Sequence, residues 1–261
     1  MKEDNSIDLL PVSETLFIPL SARAAETVRS NPVIIDKKSV EIIESMNLEH
    51  KIIDGGQIST LGILARTKII DEEVENLLAQ KSEINIINLG AGLDTRISRI
   101  DNSLIKWYDL DLPHVIQLRR QFFSEGERVH FIAASVLDTT WTEQIKITEI
   151  SRNIIIAEGL LMYFSEEEVG QILTHLSLIF PGADMFFDVV HSYFINKKIS
   201  SNFLWGIDSA RDIEKLSPRI ELIRSWSAGN LLRERQPWIL RLLNVLPATN
   251  NRSQILHIRF K

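Results

Sequence analysis

Two short stretches of the chain carry residues whose types and spacing suit the binding of a small charged ligand. In the first, at 88–96, Gly90, Ala91 and Gly92 are followed by Asp94. Glycines permit a tight turn and a close approach of a ligand, because no Cβ stands in the way. A carboxylate here can cap a following helix but would repel the pyrophosphate of a dinucleotide. S-adenosylmethionine has no phosphate and carries an ammonium that suits a carboxylate, so the loop favours that cofactor.

The second stretch is the acidic end of a later strand. Asp111 lies 21 residues after Gly90, close to the spacing of roughly 20 at which an acid contacts a ribose diol in nucleotide-binding sheets. Asp109 is the competing candidate, and Asp111 could instead cap the helix that begins at Pro113. A ribose-binding acid suits both dinucleotides and S-adenosylmethionine, so this stretch does not separate the two cofactors.

Alternating strands and helices must position these residues. Short apolar, β-branched runs predict five buried strands, and periodic segments between them predict helices at 113–124 and 165–180. This alternation indicates βαβ crossovers and therefore a parallel sheet. Two later strands are expected, and the alternating polarity of the last one indicates an edge strand added antiparallel. The predicted fold is α/β, with a doubly wound, mostly parallel seven-stranded sheet. The predicted strands lie at 84–89, 104–110, 129–134, 153–157, 183–190, 220–226 and 254–260.

Helical segments flank this sheet in the sequence. Residues 1–83 contain few strand signals, and helices are predicted at 16–30, 39–46 and 58–80. We therefore expect 1–83 to be a helical N-terminal cover of the site and 84–261 to be a Rossmann-like domain. A helical region after Val190, reaching about Leu216, predicts a lid-like insertion at 191–216, and 231–246 is also expected to be helical.

The composition excludes several classes of protein. The chain has 261 residues, of which 44% are hydrophobic and 25% charged, and a net charge of -6. This balance is that of an ordinary globular domain and argues against nucleic-acid binding, which favours a basic face. The absence of cysteine excludes disulfides and thiolate ligands, and the six histidines have no metal-binding spacing. Without an apolar run long enough to span a membrane, the protein is expected to be cytoplasmic with no membrane partner; its oligomeric state stays open.

Several strings together resemble the leucine carboxyl methyltransferase family, and its bacterial branch most closely. The most specific are LGAGLDTR at 89–96 and AEGLLMY at 157–163. Others are RAAE at 23–26 followed by NP at 31–32, ARTKIID at 65–71, DLP at 111–113 and WGID at 205–208. The resemblance extends from about residue 12 to the end of the chain.

The resemblance implies a class I methyltransferase that uses S-adenosylmethionine as methyl donor. By position, Arg66 would bind the carboxylate of the cofactor, and Gly90 would line its methionine end. Asp111 would hold the ribose, and Glu158 would lie beside the amino-acid end. A carboxylate at the ligand-facing end of a central strand needs a cation, and the cofactor ammonium is one such partner.

One position departs from the family pattern. The family usually has an Asp-Leu pair after the third strand, where it contacts adenine, and this chain has Ser135 and Val136 instead. The Ser135 hydroxyl can still hydrogen-bond an adenine nitrogen, and Val136 can pack on the ring. Asp138 is close enough in sequence to compensate for the lost charge.

The expected reaction is O-methylation of a carboxyl or hydroxyl group of a small, polyketide-like molecule. Methyl transfer requires the acceptor oxygen to be placed opposite the sulfur with water excluded. A carboxylate needs no base, whereas a phenol, with a pKa of about 10, would profit from one. His191, directly after the fifth strand, is the candidate base, and Tyr163 the candidate wall of the acceptor pocket. The alternatives are a protein C-terminal carboxyl methyltransferase, a degenerate cofactor-binding protein and a nucleotide-dependent oxidoreductase.

Overall fold

A seven-stranded sheet forms the centre of the molecule. The computed structural model describes residues 14–46, 56–79, 83–102, 104–147, 152–195, 202–244 and 250–261. The strands are β1 (Ile84–Leu89), β2 (Ile105–Asp111), β3 (Val129–Ala133), β4 (Arg152–Ala157), β5 (Asp184–Val190), β6 (Ile220–Ser227) and β7 (Ser253–Phe260). Their order across the sheet is β3-β2-β1-β4-β5-β7-β6. The predicted doubly wound α/β fold is therefore confirmed.

The direction of the strands also agrees with the prediction. β7 runs antiparallel to both of its neighbours, β5 and β6, and the remaining neighbouring pairs are parallel. The strand order reverses between β1 and β4, where two successive crossovers leave the sheet on opposite sides. In open α/β sheets this switch point opens a crevice at the carboxyl ends of the strands, and ligands bind there.

The prediction that the final strand lies at the edge of the sheet is wrong. β7 lies between β5 and β6, and β6 is the edge strand. The polar residues of β7 pair with β5. Asp184 accepts hydrogen bonds at 2.8 Å each from His257, which is buried, and from Arg259, whose side chain is 42% exposed. Because polar side chains of β7 pair with a buried acid of the neighbouring strand, the sequence of β7 resembles that of an edge strand.

Seven α-helices are found in the described part of the chain. They are α1 (Phe17–Thr27), α2 (Lys37–Ser45), α3 (Gln57–Leu78), α4 (Ile97–Ile100), α5 (Pro113–Arg119), α6 (Glu166–Ile179) and α7 (Trp238–Leu243). The side chain of Asp36 caps α2, and Ser165 with Glu168 forms the capping box of α6. These caps satisfy backbone donors at the helix start and explain why both helices begin where they do. α5 is shorter than predicted and ends at Arg119.

Alternate residues of the central strands build a separate core on each side of the sheet. Ile86 of β1 and Trp107 of β2 pack with Ile70 and Val74 of α3 on one side. The intervening strand residues, such as Ile87, pack on the other side with the apolar face of α6. Because both faces of the sheet are covered, successive residues of the central strands are apolar, and each strand appears in the sequence as a continuous apolar run. The rigid sheet then fixes the loops that follow β1, β2, β4 and β5.

The segments after β5 are less helical than the sequence predicts. Between Val190 and Leu216 the described residues form only two 3₁₀ turns, Ser192–Phe194 and Ala210–Lys215. The backbone N–H groups of Leu204 and Trp205 donate to the carbonyl of Met162 instead of closing helical turns. Residues 196–201 of the predicted lid lie outside the described residues. The helix expected at 231–246 is divided into a 3₁₀ turn and α7 by Pro237, which cannot donate a helical hydrogen bond.

The N-terminal helices lie against the ligand-binding edge of the sheet. Leu16, Pro19 and Arg23 line the same cavity as the loop after β1. The division of the chain at residue 83 and the lid at 191–216 remain predictions. Within the described residues, every helix is too short or too polar to cross a lipid bilayer.

Candidate active site

A cavity of about 260 Å³ lies at the carboxyl ends of β1, β2 and β4. Its walls are the loop after β1, the end of β2, the segment after β4 and the start of the N-terminal helical region. Four residues that the sequence places far apart meet here, namely Arg66, Gly90, Asp111 and Glu158. Asp94 and Arg23 also line it, so two arginines and three carboxylates give this first cavity a net formal charge of −1.

The loop after β1 has the backbone shape that its glycines allow. Gly90 and Gly92 have φ values of 64° and 46°, in the left-handed region that favours glycine. The N–H of Ala91 donates to the carbonyl of Leu110, which fastens the loop to the end of β2. A Cβ on Gly90 would lie 2.7 Å from a methyl carbon of Leu160. The loop therefore fits closely against the segment after β4, and its backbone forms the floor of the cavity.

The two acids of β2 have different surroundings. Asp109 is fully buried and bonded to Arg119, Trp107 and Asn88, which leaves it no access to the cavity. Asp111 lines the cavity and accepts the N–H of Gly92 at 2.7 Å, which couples the β2 acid to the glycine loop. Burial raises the pKa of Asp111, although the N–H groups of Gly92 and Leu112 partly oppose this shift. Asp109 is therefore a structural residue, and Asp111 is free to accept hydrogen bonds from a ligand.

Arg66 and Glu158 form the charged end of the cavity. Arg66, in the middle of α3, donates from Nε to Glu158 at 2.9 Å and from Nη1 to Asp188 of β5 at 2.8 Å. Asp188 also accepts the N–H of Gly159 at 2.6 Å. Glu158 directly follows β4, so these contacts connect α3 to two neighbouring strands. The Nη2 group of Arg66 has no protein hydrogen bond among the described residues and lies beside Gly159.

A second arginine holds Glu158 from the opposite side. Arg96 is fully buried and donates to Glu158, to Asp94 and to Asp71 of α3. Burial disfavours the charged form of Glu158, but the guanidinium groups of Arg96 and Arg66 outweigh it and lower its pKa to about 2. Burial likewise opposes the charge of Asp94, and Arg96 and Arg99 hold its pKa well below its ordinary value. Both carboxylates are therefore ionised at neutral pH.

A second, larger cavity of about 490 Å³ adjoins the first. Three residues, Arg66, Met162 and Phe203, line both cavities and form the wall between them. The remainder of the second cavity lies over β5 and β7 and beneath the first turns of α3. It is mostly apolar.

A family model described as Leucine carboxyl methyltransferase matches residues 18–177. The chain belongs to this family. Within it, the chain is 26% identical to the tetracenomycin polyketide synthesis O-methyltransferase TcmP of Streptomyces glaucescens, over 85% of each chain. It is also 26% identical to the S-adenosyl-L-methionine-dependent methyltransferase dpfgK of Gibberella zeae, over 88% of this chain and 92% of the relative. The resemblance inferred from the sequence strings is thus confirmed, and with it methyltransferase activity.

The fold of this methyltransferase also matches a solved structure. A SAM-dependent methyltransferase from Anabaena variabilis is 14% identical, with a TM-score of 0.52, and the match covers 75% of this chain and 84% of that chain. At this level of identity the likeness concerns the fold alone, and it agrees with the class I arrangement.

Two of the predicted cofactor residues lie away from the first cavity of the methyltransferase. Ser135 accepts the N–H of Leu137 at 3.3 Å. Val136 packs against the main core and lines a small third cavity with Trp141 and His175. Neither side chain belongs to the lining of the first cavity, so their contact with adenine stays a prediction. The other predicted cofactor residues, including Ala91, Gly92 and Asp94, line the first cavity.

The two predicted catalytic residues have different positions. Tyr163 lines the first cavity, where its ring packs edge-on against Phe203. His191 lines neither the first nor the second cavity, and its Nδ1 accepts the N–H of Tyr193 at 3.1 Å. The same nitrogen lies 3.5 Å from a carboxylate oxygen of Asp208. Both catalytic roles remain predictions, and the surroundings of His191 give it the role of a turn cap.

Three residues that line the two cavities were not selected from the sequence, because their partners are distant along the chain. Asp188 looks like an ordinary strand residue, yet it pairs with Arg66. Arg23 is buried in α1, where it donates to Asp36 at 2.9 Å and to the carbonyl of Leu93 in the glycine loop. Phe203 joins the wall between the two cavities from a segment that has no regular structure. The only sequence signal was the string RAAE at 23–26, which the resemblance had marked.

Proposed function

We propose that the protein transfers the methyl group of S-adenosylmethionine to a carboxyl or hydroxyl oxygen of a small molecule. The family and the S-adenosyl-L-methionine-dependent relative confirm S-adenosylmethionine as the cofactor. The relative TcmP, an O-methyltransferase of polyketide synthesis, supports oxygen as the acceptor atom. The meeting of Arg66, Asp111 and Glu158 with the glycine loop in one cavity carries the proposal.

The charged groups that line the first cavity suit this cofactor. S-adenosylmethionine carries a carboxylate, an ammonium and a sulfonium, and the lining offers the guanidinium of Arg66 to the first and carboxylates to the two cations. Opposite potentials of this kind favour a ligand and disfavour competitors of the other sign, here a pyrophosphate. A Cβ on Gly90 would lie 2.7 Å from Leu160 and one on Gly92 would lie 2.9 Å from Leu16, so only glycine lets these lining side chains approach the loop so closely.

Each charged residue has a place in this scheme. The carboxylate of Asp111 uses one oxygen for Gly92 and the other for Leu112, and its remaining lone pairs can accept the two ribose hydroxyls. The Nη2 group of Arg66 faces the cavity and would donate to the cofactor carboxylate. Glu158 would lie beside the ammonium, held in position by its two arginines.

The protein positions the acceptor and excludes water. Bound S-adenosylmethionine supplies an electrophilic methyl group to an oxygen placed in line with it. We infer that the acceptor occupies the second cavity and reaches the first past Arg66, Met162 and Phe203. Leu16 and Pro19 cover the first cavity from the N-terminal side and keep solvent from the reacting atoms.

The acceptor oxygen decides whether a base is required. A carboxylate is ionised at neutral pH and needs none. Burial raises the pKa of Tyr163, the charge of Arg66 opposes this shift and that of Asp188 adds to it, so the hydroxyl is neutral and can donate a hydrogen bond to an acceptor oxygen. If the acceptor is a phenol, His191 is the candidate base, and it would have to turn away from Tyr193 to reach the site.

Calorimetric titration with S-adenosylmethionine tests the proposal. Asp111→Asn should weaken binding by roughly tenfold to a hundredfold, because a charged acceptor of two ribose hydroxyls is replaced by an amide. Asp101→Asn is the matched control, since Asp101 pairs with Arg128 at the surface. Absence of binding to the unmodified protein, or equal losses in the two variants, would overturn the assignment of the first cavity.

A further inference from the structure

The second cavity contains one cation for which the described part of the protein supplies no partner. Arg252 lines this cavity together with apolar residues such as Leu61, Ile63 and Val190. Its carbonyl oxygen accepts the N–H of His191, but its guanidinium makes no hydrogen bond or ion pair with any described residue. Partial burial lowers the pKa of Arg252, as expected for a cation that has lost water without gaining a counter-ion.

The other arginine of this cavity is already compensated. Arg66 is bonded to the carboxylates of Glu158 and Asp188. An anion entering the second cavity would therefore be repelled by these two acids near Arg66 and attracted at Arg252. An arginine that faces an apolar cavity without a carboxylate partner can bind a ligand carboxylate through two parallel hydrogen bonds.

The sheet fixes the distance between Arg252 and the end of β4, which lies beside the first cavity. Arg252 directly precedes β7, whose first residue, Ser253, pairs with Val190 at the end of β5. β5 in turn pairs with β4, which leads into Glu158 and Gly159 beside the first cavity. Neighbouring strands lie about 4.8 Å apart, so Arg252 is displaced from the end of β4 by two strands, or roughly 10 Å, across the sheet. It is displaced further along the strands, because Ala157 is level with Phe187 of β5, whereas Ser253 is level with Val190. An anion at Arg252 is thus remote from the atom that is methylated.

We propose that Arg252 binds a carboxylate of the methyl acceptor at the end of the second cavity remote from the methyl donor. The acceptor is then a largely apolar acid with two separate functional groups. One oxygen reaches past Met162 and Phe203 to be methylated, and the carboxylate stays at Arg252 in substrate and product alike. This inference rests on the proposed function, because it assigns the second cavity to the acceptor.

Binding of two matched probes tests the proposal. 6-Hydroxy-2-naphthoate carries a hydroxyl and a carboxylate at opposite ends of a rigid apolar body, and 6-hydroxy-2-naphthamide has nearly the same shape with an uncharged amide in place of the carboxylate. Calorimetry with the full chain, with and without S-adenosylhomocysteine, should show the naphthoate binding at least about tenfold more tightly than the naphthamide. Arg252→Gln should remove that preference by weakening the naphthoate alone, leaving naphthamide affinity within about twofold. Arg252→Lys should retain part of it, because the charge remains without the planar pair of donors.

Arg211→Gln is the control for loss of one positive charge, since Arg211 is exposed outside both cavities. The proposal is overturned if the unmodified protein binds neither probe or does not prefer the naphthoate, or if Arg252→Gln weakens both probes equally. Titration of each variant with S-adenosylmethionine distinguishes a failure of the proposed function from a failure of the role given to Arg252. If the cofactor binds and the preference is absent, only the role of Arg252 fails. If the cofactor does not bind, the proposed function fails, whereas the cofactor-free titrations still decide whether Arg252 selects a carboxylate.

Discussion

Replacement of Glu158 by glutamine should destabilise the protein strongly even without a ligand. The Glu158 side chain is only 10% exposed and accepts hydrogen bonds from Arg66, Arg96 and Thr67. Its charge compensates two buried guanidinium groups, and glutamine keeps the shape but removes the charge. Removal of one carboxylate from this buried cluster weakens the compensation of both arginines in a medium of low polarity, although each keeps another acidic partner.

The shift in the pKa of Glu158 gives the magnitude. Folding lowers this pKa from its ordinary value of 4.5 to about 2, and a difference of one pH unit corresponds to about 1.4 kcal/mol, so the ionised form contributes about 3 kcal/mol. Because the folded pKa is the lower one, this contribution is fully present above about pH 4.5 and is lost as the pH falls towards 2. Near pH 3, about 1 kcal/mol should remain.

Urea denaturation of the unmodified protein and of Glu158→Gln, followed by tryptophan fluorescence, measures the difference. We expect a difference in free energy of unfolding of about 3 kcal/mol at neutral pH and less than half of that near pH 3. Glu72→Gln is the matched control, because Glu72 forms a surface pair with Lys68 and is 48% exposed. A pair of this kind contributes no more than about 1 kcal/mol.

Two results would refute this reasoning. If the two variants lose similar free energies of unfolding at neutral pH, Glu158 is not the counter-ion of the buried arginines. If the difference caused by Glu158→Gln does not shrink in acid, the loss comes from altered packing and not from charge.

Two further predictions concern the glycine loop and the acid behind it. Gly90→Ala places a Cβ 2.7 Å from Leu160 at a residue with a φ of 64°; the resulting strain should weaken S-adenosylmethionine binding by about tenfold or more in calorimetry. Asp109→Asn removes the charge that faces Arg119, with both side chains fully buried; it should lower the free energy of unfolding by about 3 to 5 kcal/mol in urea denaturation.

Both predictions have internal controls. Gly126→Ala is the control for Gly90→Ala, because an added Cβ there meets nothing within 4 Å. Equal cofactor affinity of the two alanine variants would contradict the role of the loop. Asp111→Asn is the contrast to Asp109→Asn, and we expect it to affect cofactor binding more than stability. If instead Asp109→Asn mainly weakens cofactor binding and Asp111→Asn mainly lowers the free energy of unfolding, the roles assigned to the two acids are wrong.

Local patterns were sufficient to predict much of the fold. The apolar runs of β1, β2 and β4 are continuous because both faces of the sheet are covered, and this property is visible in sequence. The capping box at Ser165 similarly fixed the start of α6. The position of β7 was predicted wrongly, because a polar residue in a strand reads the same whether it meets water or a buried partner such as Asp184.

The sequence by itself determined the glycine loop, the family and the residues expected at the first cavity, since each depends on residue types within a short stretch. The sequence favoured Asp111 over Asp109, but only the tertiary structure excluded Asp109 from the first cavity, because the two acids differ in the long-range partners that surround them. It alone also revealed that Arg66 is paired with Glu158 and Asp188, whereas Arg252 has no partner in the described chain. Charge compensation depends on distance in space, and a linear sequence holds no record of which distant strands become neighbours.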